Sequence, residues 1–336
     1  MLRALVIGSG WGRHAAEALA RMPEVELAGI VGRGSARTRG LTKRLGVSCY
    51  DDLDDAIGRA QPDAAMISVS ERAHPGLVRK LLEAGCHVLC SHPVATDAAT
   101  VLALDELARA LALRVATDYT MRLLPAFEAA RRSLASYGPP LRIAQQSPGR
   151  ALPIAIDLAL SLAGPAARVF AAGAYPPHLD ERRRTAPQAF PPTIVVEHAG
   201  GCVTAITPVP HADPAAAHRL SISTERGRLD LRLPAGGLDG LTYRGGGVVE
   251  RNQIVAASPD PAPPGELFGS AMRELVRRFV EGIVTGDAVD VPLVDEARVR
   301  GVWAAVGRSR PSGVPVVVQA APGSGDPREP TDSSAR

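Results

Sequence analysis

Short apolar runs alternate with amphipathic segments through the first third of the chain, a pattern typical of strands separated by helices. Strand-length apolar runs occupy Leu2–Ile7, Val25–Val31, Ala64–Val69, His87–Cys90 and Arg114–Asp118. Helical patterns occupy Gly12–Arg21, Ala36–Leu45, His74–Ala84 and Asp97–Leu111, with weaker strand and helix signals at Val47–Tyr50 and Leu53–Arg59. Strands that alternate with helices predict a parallel sheet covered on both faces.

The pattern changes after Tyr119. A helix is predicted near Leu124–Leu134, and it is followed by alternating segments typical of antiparallel strands at Leu141–Gln146, Thr193–His198, Cys202–Ile206, Arg219–Thr224 and Arg228–Arg232. Amphipathic helices are predicted near Leu267–Val284 and Val294–Ser309, and a last short strand at Pro315–Gln319.

These patterns predict an α/β protein of two domains. Residues 1–120 form a parallel-sheet domain, and residues 121–319 form an α+β domain with a mainly antiparallel sheet, whose last helix can pack back on the first domain. The segment Tyr175–Pro192, with five prolines, is expected to be an irregular surface loop. Residues 320–336 are rich in Gly, Pro, Ser, Asp and Arg, and we expect a disordered tail.

Composition narrows the class of protein. The chain has 336 residues, 46% of them hydrophobic, and a net charge of +3, which is too small to predict a nucleic-acid surface. Four scattered cysteines do not form a disulfide framework or a spaced metal site. The most apolar stretch, Ala151–Ala174, is interrupted by Pro153, Asp157 and Pro165 and is not expected to span a membrane. We expect a reduced, cytoplasmic protein without a bound metal.

A glycine-rich turn follows the first strand. It reads Gly8-Ser9-Gly10-Trp11-Gly12-Arg13, between a predicted strand and a predicted helix. In a dinucleotide fingerprint the first glycine permits a tight turn and the second lets the backbone approach a pyrophosphate at the helix N-terminus. We therefore predict a Rossmann domain and assign all six residues to cofactor binding, although a plain strand–helix turn has the same spacing.

The end of the second strand indicates which cofactor is bound. NAD enzymes usually have a carboxylate there for the ribose 2′-hydroxyl, whereas this chain reads Gly32-Arg33-Gly34-Ser35-Ala36-Arg37. Arg33, Ser35 and Arg37 suit a 2′-phosphate, because they combine guanidinium groups with a hydroxyl at a helix start. We predict NADPH. The alternative is an arginine-rich surface turn.

Further polar side chains follow the other strands at the same sheet edge, where ligands bind in open α/β sheets. Ser70 and His74 follow the third strong strand, His92 and Pro93 the fourth, and Tyr119 the fifth. We assign Ser70, His74, His92 and Pro93 to the cofactor region. His74 also suits a helix start before proline, His92 suits a strand cap, and Tyr119 suits the core.

These motifs resemble the Gfo/Idh/MocA oxidoreductases over roughly residues 1–320. In the sugar-type members a catalytic lysine precedes the proline at the place of His92-Pro93, and the only two lysines here, Lys43 and Lys80, lie elsewhere. The chain is similar to the thiazolinyl imine reductase branch of that family. The similarity rests on Gly8-x-x-Trp11-Gly12-Arg13, Leu27-Ala28-Gly29-Ile30 with Gly34-Ser35-Ala36-Arg37, His92-Pro93, and Thr117-Asp118-Tyr119 with Leu124-Pro125-Ala126. The branch usually has Glu and His where this chain has Ser91 and Asp118.

The resemblance implies hydride transfer from NADPH to the C=N bond of a thiazoline that is tethered to a carrier domain of a nonribosomal peptide synthetase in siderophore biosynthesis. It also implies a homodimer. Hydride addition to an imine carbon requires a proton at nitrogen, and His92 and Tyr119 are the predicted proton-handling pair. Asp157, which the related sugar enzymes also carry, is a third catalytic candidate, with a structural network as its alternative.

Two other functions stay open from the sequence. One is a dehydrogenase of a small carbonyl or sugar that uses His92. The other is a non-catalytic NADP(H)-binding partner protein, because the usual catalytic lysine is missing.

Overall fold

The computed structural model describes residues 1–173, 192–209, 218–233, 238–244, 247–255 and 264–319. Its first sheet has six parallel strands: β1 (Leu2–Ile7), β2 (Val25–Val31), β3 (Ser48–Tyr50), β4 (Ala64–Ile67), β5 (His87–Ser91) and β6 (Val115–Asp118). They lie in the order β3-β2-β1-β4-β5-β6, which is the doubly wound dinucleotide-binding order. The predicted parallel sheet is confirmed.

Five helices cover this sheet: α1 (Arg13–Leu19), α2 (Ala36–Leu45), α3 (Leu53–Ala60), α4 (His74–Glu83) and α5 (Ala98–Ala110). Side chains at the helix starts fix several of these bounds. The Ser35 hydroxyl accepts a hydrogen bond from the Thr38 amide, and the Asp97 carboxylate accepts one from the Thr100 amide. Both bonds satisfy an amide that has no partner within the helix.

The register of the sheet places the candidate residues together. Ile7 of β1 lies opposite Val31 of β2 and Ile67 of β4, so these three strands end at the same edge. Ser91 of β5 lies opposite Asp118 of β6. The residues that follow these two strands, His92 and Tyr119, are therefore neighbours.

The second sheet has nine strands: β7 (Arg142–Pro148), β8 (Ala166–Ala172), β9 (Thr193–His198), β10 (Val203–Val209), β11 (His218–Ser223), β12 (Gly227–Leu233), β13 (Leu238–Arg244), β14 (Gly247–Val255) and β15 (Val316–Val317). Their order is β14-β13-β12-β11-β7-β10-β9-β8-β15. All neighbouring pairs are antiparallel except β7 and β10, which are parallel. The sheet is thus mixed but mostly antiparallel, as predicted.

Among the described residues, four helices accompany the second sheet: α6 (Pro125–Tyr137), α7 (Leu152–Ala163), α8 (Pro264–Thr285) and α9 (Leu293–Ser312). Helix α9 packs against α5 of the first sheet and against β8 and α7 of the second. The segment before it bonds to β6, because the Thr117 amide donates to the carbonyl of Val291. The last helix therefore joins the two halves beside the end of β6.

The apolar stretch Ala151–Ala174 contains a strand that was not predicted. It holds α7 and then β8, because Gly164 has a φ of +82° and Pro165 lacks an amide hydrogen, and together they end the helix. Strands β13 and β14 were also not predicted. In the described part of the chain, no helix is long and apolar enough to cross a membrane. The predicted loop, apart from Pro192, and the predicted tail lie outside the described residues.

Candidate functional site

The glycine-rich turn has the crowding expected of a nucleotide-binding loop. Gly8 has a φ of +101°, and a Cβ atom there would lie 2.1 Å from the carbonyl oxygen of Ser68. A Cβ atom on Gly12 would lie 2.2 Å from the carbonyl oxygen of Gly8. Gly10 differs: the nearest atom to its added Cβ would be an Arg37 nitrogen at 3.8 Å. The backbone at Gly10 is thus open to a ligand, which fits the dinucleotide prediction.

A chain of hydroxyl groups links this turn to the β2–α2 loop. The Thr38 hydroxyl lies 2.8 Å from that of Ser9 and 3.0 Å from that of Ser35. Arg33 and Arg37 are exposed beside them. The arrangement brings hydroxyl and guanidinium donors to the end of β2, where a 2′-phosphate would be bound.

A carboxylate that sequence reasoning missed also lies here. Asp51 follows β3, and its Oδ1 would be 3.3 Å from a Cβ atom on Gly34. The expected signal was a carboxylate at the end of β2, whereas this one comes from the neighbouring strand. Asp51 is therefore a candidate ligand for a ribose hydroxyl, and its negative charge would repel a phosphate bound at the same place.

His74 is placed differently from its predicted cofactor role. The side chain is buried at the start of α4, with Nδ1 2.8 Å from the carbonyl oxygen of Pro93 and Nε2 3.1 Å from that of Val69. The imidazole therefore ties the loop after β4 to the loop after β5. Ser70, in the loop after β4, is exposed. Cofactor contact by these two residues stays a prediction.

His92 and Tyr119 are brought together, as predicted. Their rings are stacked, with centroids 5.1 Å apart and an angle of 12° between the planes. The ring of His92 is half-buried, and its Nδ1 is buried without a hydrogen-bond partner in the described residues. Burial, with Arg300 and His74 as smaller causes, lowers the pKa of His92 to about 4. The imidazole is therefore neutral at pH 7 and has one N–H group and one acceptor nitrogen.

The Tyr119 hydroxyl is directed into the protein. Only 1% of the residue is exposed, and Oη donates a hydrogen bond to Oε2 of Glu296 on α9. Burial and the neighbouring Glu296 carboxylate raise the pKa of Tyr119 well above its ordinary value. Tyr119 is thus a poor acid in this state, and it links His92 to a carboxylate that the sequence analysis missed.

Glu296 has no exposed surface. Its Oε1 lies 3.1 Å from Nε of Arg300, one helical turn further on α9, but the two atoms are not aligned for a hydrogen bond. Burial, which outweighs the opposing effect of Arg300, raises the pKa of Glu296 to about 7. The sequence held one signal of this group: Glu296 and Arg300 stand at helical spacing among the buried residues of α9.

Asp157 is held in an ion pair with an arginine. It has no exposed surface, and Arg122 donates to both of its oxygens, with Nε 2.9 Å from Oδ2. The same guanidinium lies 2.7 Å from a carboxylate oxygen of Asp295 and 5.7 Å from the centroid of the Tyr119 ring. Burial raises the pKa of Asp157 to about 6. These contacts support the structural alternative for Asp157, and its catalytic role stays a prediction.

A small cavity of about 20 Å³ lies at the carboxyl ends of β4, β5 and β6. Trp11 and Met272 of α8 cover it, and Ser91 and Asp118 line it. Asp118 accepts hydrogen bonds from the amide and hydroxyl of Thr120. Ser91 and Asp118 directly precede His92 and Tyr119 in the chain. We call this part of the sheet edge, at the carboxyl ends of β5 and β6, the reaction end of the candidate site.

The class of protein follows from this arrangement: a doubly wound sheet with a dinucleotide turn, joined to a second α+β domain beside the reaction end. Residues 2–119 match the model of the Gfo/Idh/MocA oxidoreductase family, NAD-binding Rossmann fold. This part of the chain is therefore similar to the Rossmann domain of that family.

One curated relative is the dTDP-3,4-didehydro-2,6-dideoxy-alpha-D-glucose 3-reductase of Streptomyces violaceoruber. It is 29% identical over 119 residues, which span 35% of this chain and 35% of the relative.

Solved structures extend the similarity of fold to nearly the whole chain. An Agrobacterium radiobacter oxidoreductase in complex with NAD+, L-tartaric acid and magnesium has a TM-score of 0.79 at 15% identity, and covers 94% of this chain and 98% of its own. Scyllo-inositol dehydrogenase from Lactobacillus casei, with bound NAD(H) and scyllo-inositol, has a TM-score of 0.77 at 17% identity, and covers 95% of this chain and 99% of its own. UDP-N-acetylglucosamine 3-dehydrogenase from Acidithiobacillus ferrooxidans has a TM-score of 0.75 at 21% identity, and covers 93% of this chain and 98% of its own.

Proposed function

We propose that this protein is an NADPH-dependent reductase that transfers hydride to the C=N bond of a thiazoline and gives a thiazolidine. The substrate is a thioester on a carrier domain of a nonribosomal peptide synthetase, in siderophore or related natural-product biosynthesis. The observation that carries the reaction type is the His92–Tyr119 stack at the reaction end, where sugar-type relatives have a lysine. The tethered thiazoline follows from the resemblance of the sequence motifs.

The placement of the lysines supports this choice over a lysine-based sugar dehydrogenase. Lys80 forms an exposed ion pair with Asp54 on α3, with 2.6 Å between Nζ and Oδ2. Lys43 is exposed in the last turn of α2. Neither ammonium group belongs to the reaction end, so proton transfer there falls to other side chains.

The residues present fit a dinucleotide. The turn from Gly8 to Arg13 would hold the pyrophosphate, and Ser9, Ser35 and Arg37 would hold the adenosine end. NADPH would supply the hydride, and the protein would supply the proton to the imine nitrogen. His92 is the group of the stacked pair with an exposed edge, so it would donate that proton from Nε2.

Mass spectrometry of the carrier-bound intermediate tests the proposal. A carrier domain loaded with a thiazolinyl thioester is incubated with the protein and NADPH, and with the protein alone. We expect a gain of two hydrogens in the presence of NADPH only. No gain, together with measured NADPH binding, would contradict imine reduction.

A second candidate, a dehydrogenase of a small carbonyl or sugar, is favoured by the names of the relative and the structural neighbours. It predicts reduction of NAD+ or NADP+ with a polyol or sugar, read at the absorbance of the reduced nicotinamide. Cofactor binding without turnover on either class of substrate would instead favour a non-catalytic NADP(H)-binding partner.

We further propose that two copies pair through the outer face of the second sheet. That face holds an open concavity of about 670 Å³. Charged residues of both signs line it: Arg219, Arg228, Arg232, Arg251, Asp230 and Asp239. Opposite charges on one face allow self-pairing, and light scattering should give the mass of a dimer; the mass of a monomer would contradict this.

A further inference from the structure

Three neighbouring polar groups beneath the stacked pair are buried but not aligned with any hydrogen-bond partner in the described residues. They are Nδ1 of His92, Oε1 of Glu296, and Nε with Nη2 of Arg300. Buried polar atoms of this kind are rare in folded proteins and need a physical account. All of these atoms are buried, whereas His92 as a residue is half-buried.

The groups are connected through Tyr119. Its ring stacks on His92, and its hydroxyl bonds to Glu296, so one side chain separates the imidazole from the carboxyl group. Arg300 contacts Glu296 and acts electrostatically on His92. Helix α9 therefore supplies a carboxyl group, that of Glu296, and a guanidinium group, that of Arg300, to a site otherwise built from strand ends.

We propose that Glu296 is the proton store for His92, passing its proton to Nδ1 through one bridging water as Nε2 gives up its own. This inference rests on the proposed reductase function. Glu296 contacts neither substrate nor cofactor in this scheme, so it is a positioning residue that acts through His92. The assignment explains why a neutral imidazole serves as the donor.

The proton balance of the step is complete. Hydride from NADPH forms the new C–H bond, the C=N π pair moves to nitrogen, and the Nε2–H proton of His92 forms the N–H bond. His92 receives a proton at Nδ1 as it gives one at Nε2, so it passes through no stable anion. Glu296 is left as a carboxylate. Before the next cycle a solvent proton binds Nε2 of His92, and Nδ1 returns its proton to Glu296, which restores both groups.

The surroundings of Glu296 allow it to hold a proton near neutral pH. The titratable and charged groups that face it are Tyr119 after β6, Arg300 on α9, Asp157 on α7 and Cys90 on β5. Burial, with a smaller effect of Asp157, favours the acid and raises the pKa to about 7. Arg300 and the hydrogen bonds from Tyr119 and the Val94 backbone favour the carboxylate. Both protonation states are therefore populated at pH 7.

A pH profile of thiazoline reduction tests the proposal in Glu296→Gln. The amide still accepts the Tyr119 hydrogen bond but stores no proton. We expect the wild-type kcat to fall as pH rises through about 7. The kcat of the variant should be at least about tenfold lower at pH 6, on the order of general acid effects, and should show no fall near pH 7. Glu281→Gln, an exposed change on α8, should keep the wild-type profile. A Glu296→Gln profile with the wild-type limb would overturn the proposal.

A measurement without turnover separates this inference from the proposed function. In full-length wild-type protein with ¹⁵N-labelled histidine, the His92 signal, identified by its loss in His92→Gln, should respond to titration of Glu296. We expect an inflection near pH 7 in addition to the lower one of His92 itself. A His92 signal that is flat from pH 6 to 8 would overturn the proton store. The inflection without thiazoline reduction would instead refute only the reductase.

Discussion

Asp157 on α7 and Glu296 on α9 are both fully buried carboxyl groups near the ring of Tyr119, yet their contacts differ. Both oxygens of Asp157 accept hydrogen bonds from Arg122, which also contacts Asp295. Glu296 accepts hydrogen bonds from Tyr119 and from the Val94 backbone, and its arginine is misaligned. Burial raises the pKa of Asp157 to about 6 and that of Glu296 to about 7.

The difference shows that partner geometry, more than burial, separates a structural carboxylate from one suited to proton exchange. A bidentate guanidinium fixes charge and orientation at once. A carboxyl group with one unaligned oxygen keeps a site for a proton. On this basis we expect Asp157 to support the structure around Arg122, and Glu296 to act as the proposed proton store.

The largest effect on stability is expected from breaking the Asp157 ion pair. Asp157→Ala leaves the Arg122 guanidinium largely buried and with Asp295 alone, which should cost about 3 kcal/mol of unfolding free energy, at the lower end for a broken buried pair. Urea unfolding measures the loss, and Asp105→Ala, in an exposed helical pair with Arg109, is the control. Equal losses in the two variants would contradict the structural role.

Glu296 gives a pH-dependent stability difference of similar size. Its folded pKa is raised, so the native state binds more protons than the unfolded chain between about pH 4.5 and 7, and the stability contribution falls as pH rises through this window. Glu296→Gln should therefore gain on the order of 2–3 kcal/mol relative to wild type between pH 4.5 and 7.5. Urea unfolding at several pH values measures it, and a constant difference would contradict the raised pKa.

The proton-handling pair is expected to affect rate instead of stability. His92→Ala should lower kcat for thiazoline reduction by about 100-fold, while NADPH affinity is retained. Tyr119→Phe preserves the stack and should lower kcat about tenfold, because Glu296 loses its hydrogen bond from the Tyr119 hydroxyl. Stopped-flow NADPH oxidation gives both values. Full activity in the double variant would remove His92 and Tyr119 from the mechanism.

The smallest effect concerns cofactor choice. Arg37→Ala should weaken NADPH binding about tenfold, the loss of one charge-assisted contact, and leave NADH binding unchanged. Asp51→Ala should act in the opposite direction, with weaker NADH binding. Fluorescence titration with both cofactors distinguishes the cases, and a preference for NADH in the wild-type protein would contradict the predicted phosphate site.

The parallel domain was largely predictable, because its strands are short apolar runs bounded by turn residues. Val25–Val31 and Ala36–Leu45 match the structure residue for residue. Strand β8 was not predicted, because its apolar residues continue those of α7 without a polar residue between them. Strand β13 is polar and glycine-bearing, so its signal is weak.

The site was predictable where it lies at strand ends and not where it depends on distant packing. His92 and Tyr119 follow adjacent strands, so their meeting could be inferred from topology. Glu296 reaches Tyr119 across 177 positions of sequence, through the packing of α9. Asp51 stands at the end of β3, where the fingerprint gives no rule for a ribose ligand.

The most direct test of the central claim follows the hydride itself. A single turnover with NADPH deuterated at the transferred position, on a carrier-bound thiazoline in ordinary water, is read by mass spectrometry of the product. The account predicts one non-exchangeable deuterium on the former imine carbon, with the same label but a rate about 100-fold lower in His92→Ala. A reduced product without deuterium, or no reduction with NADPH bound, would contradict it.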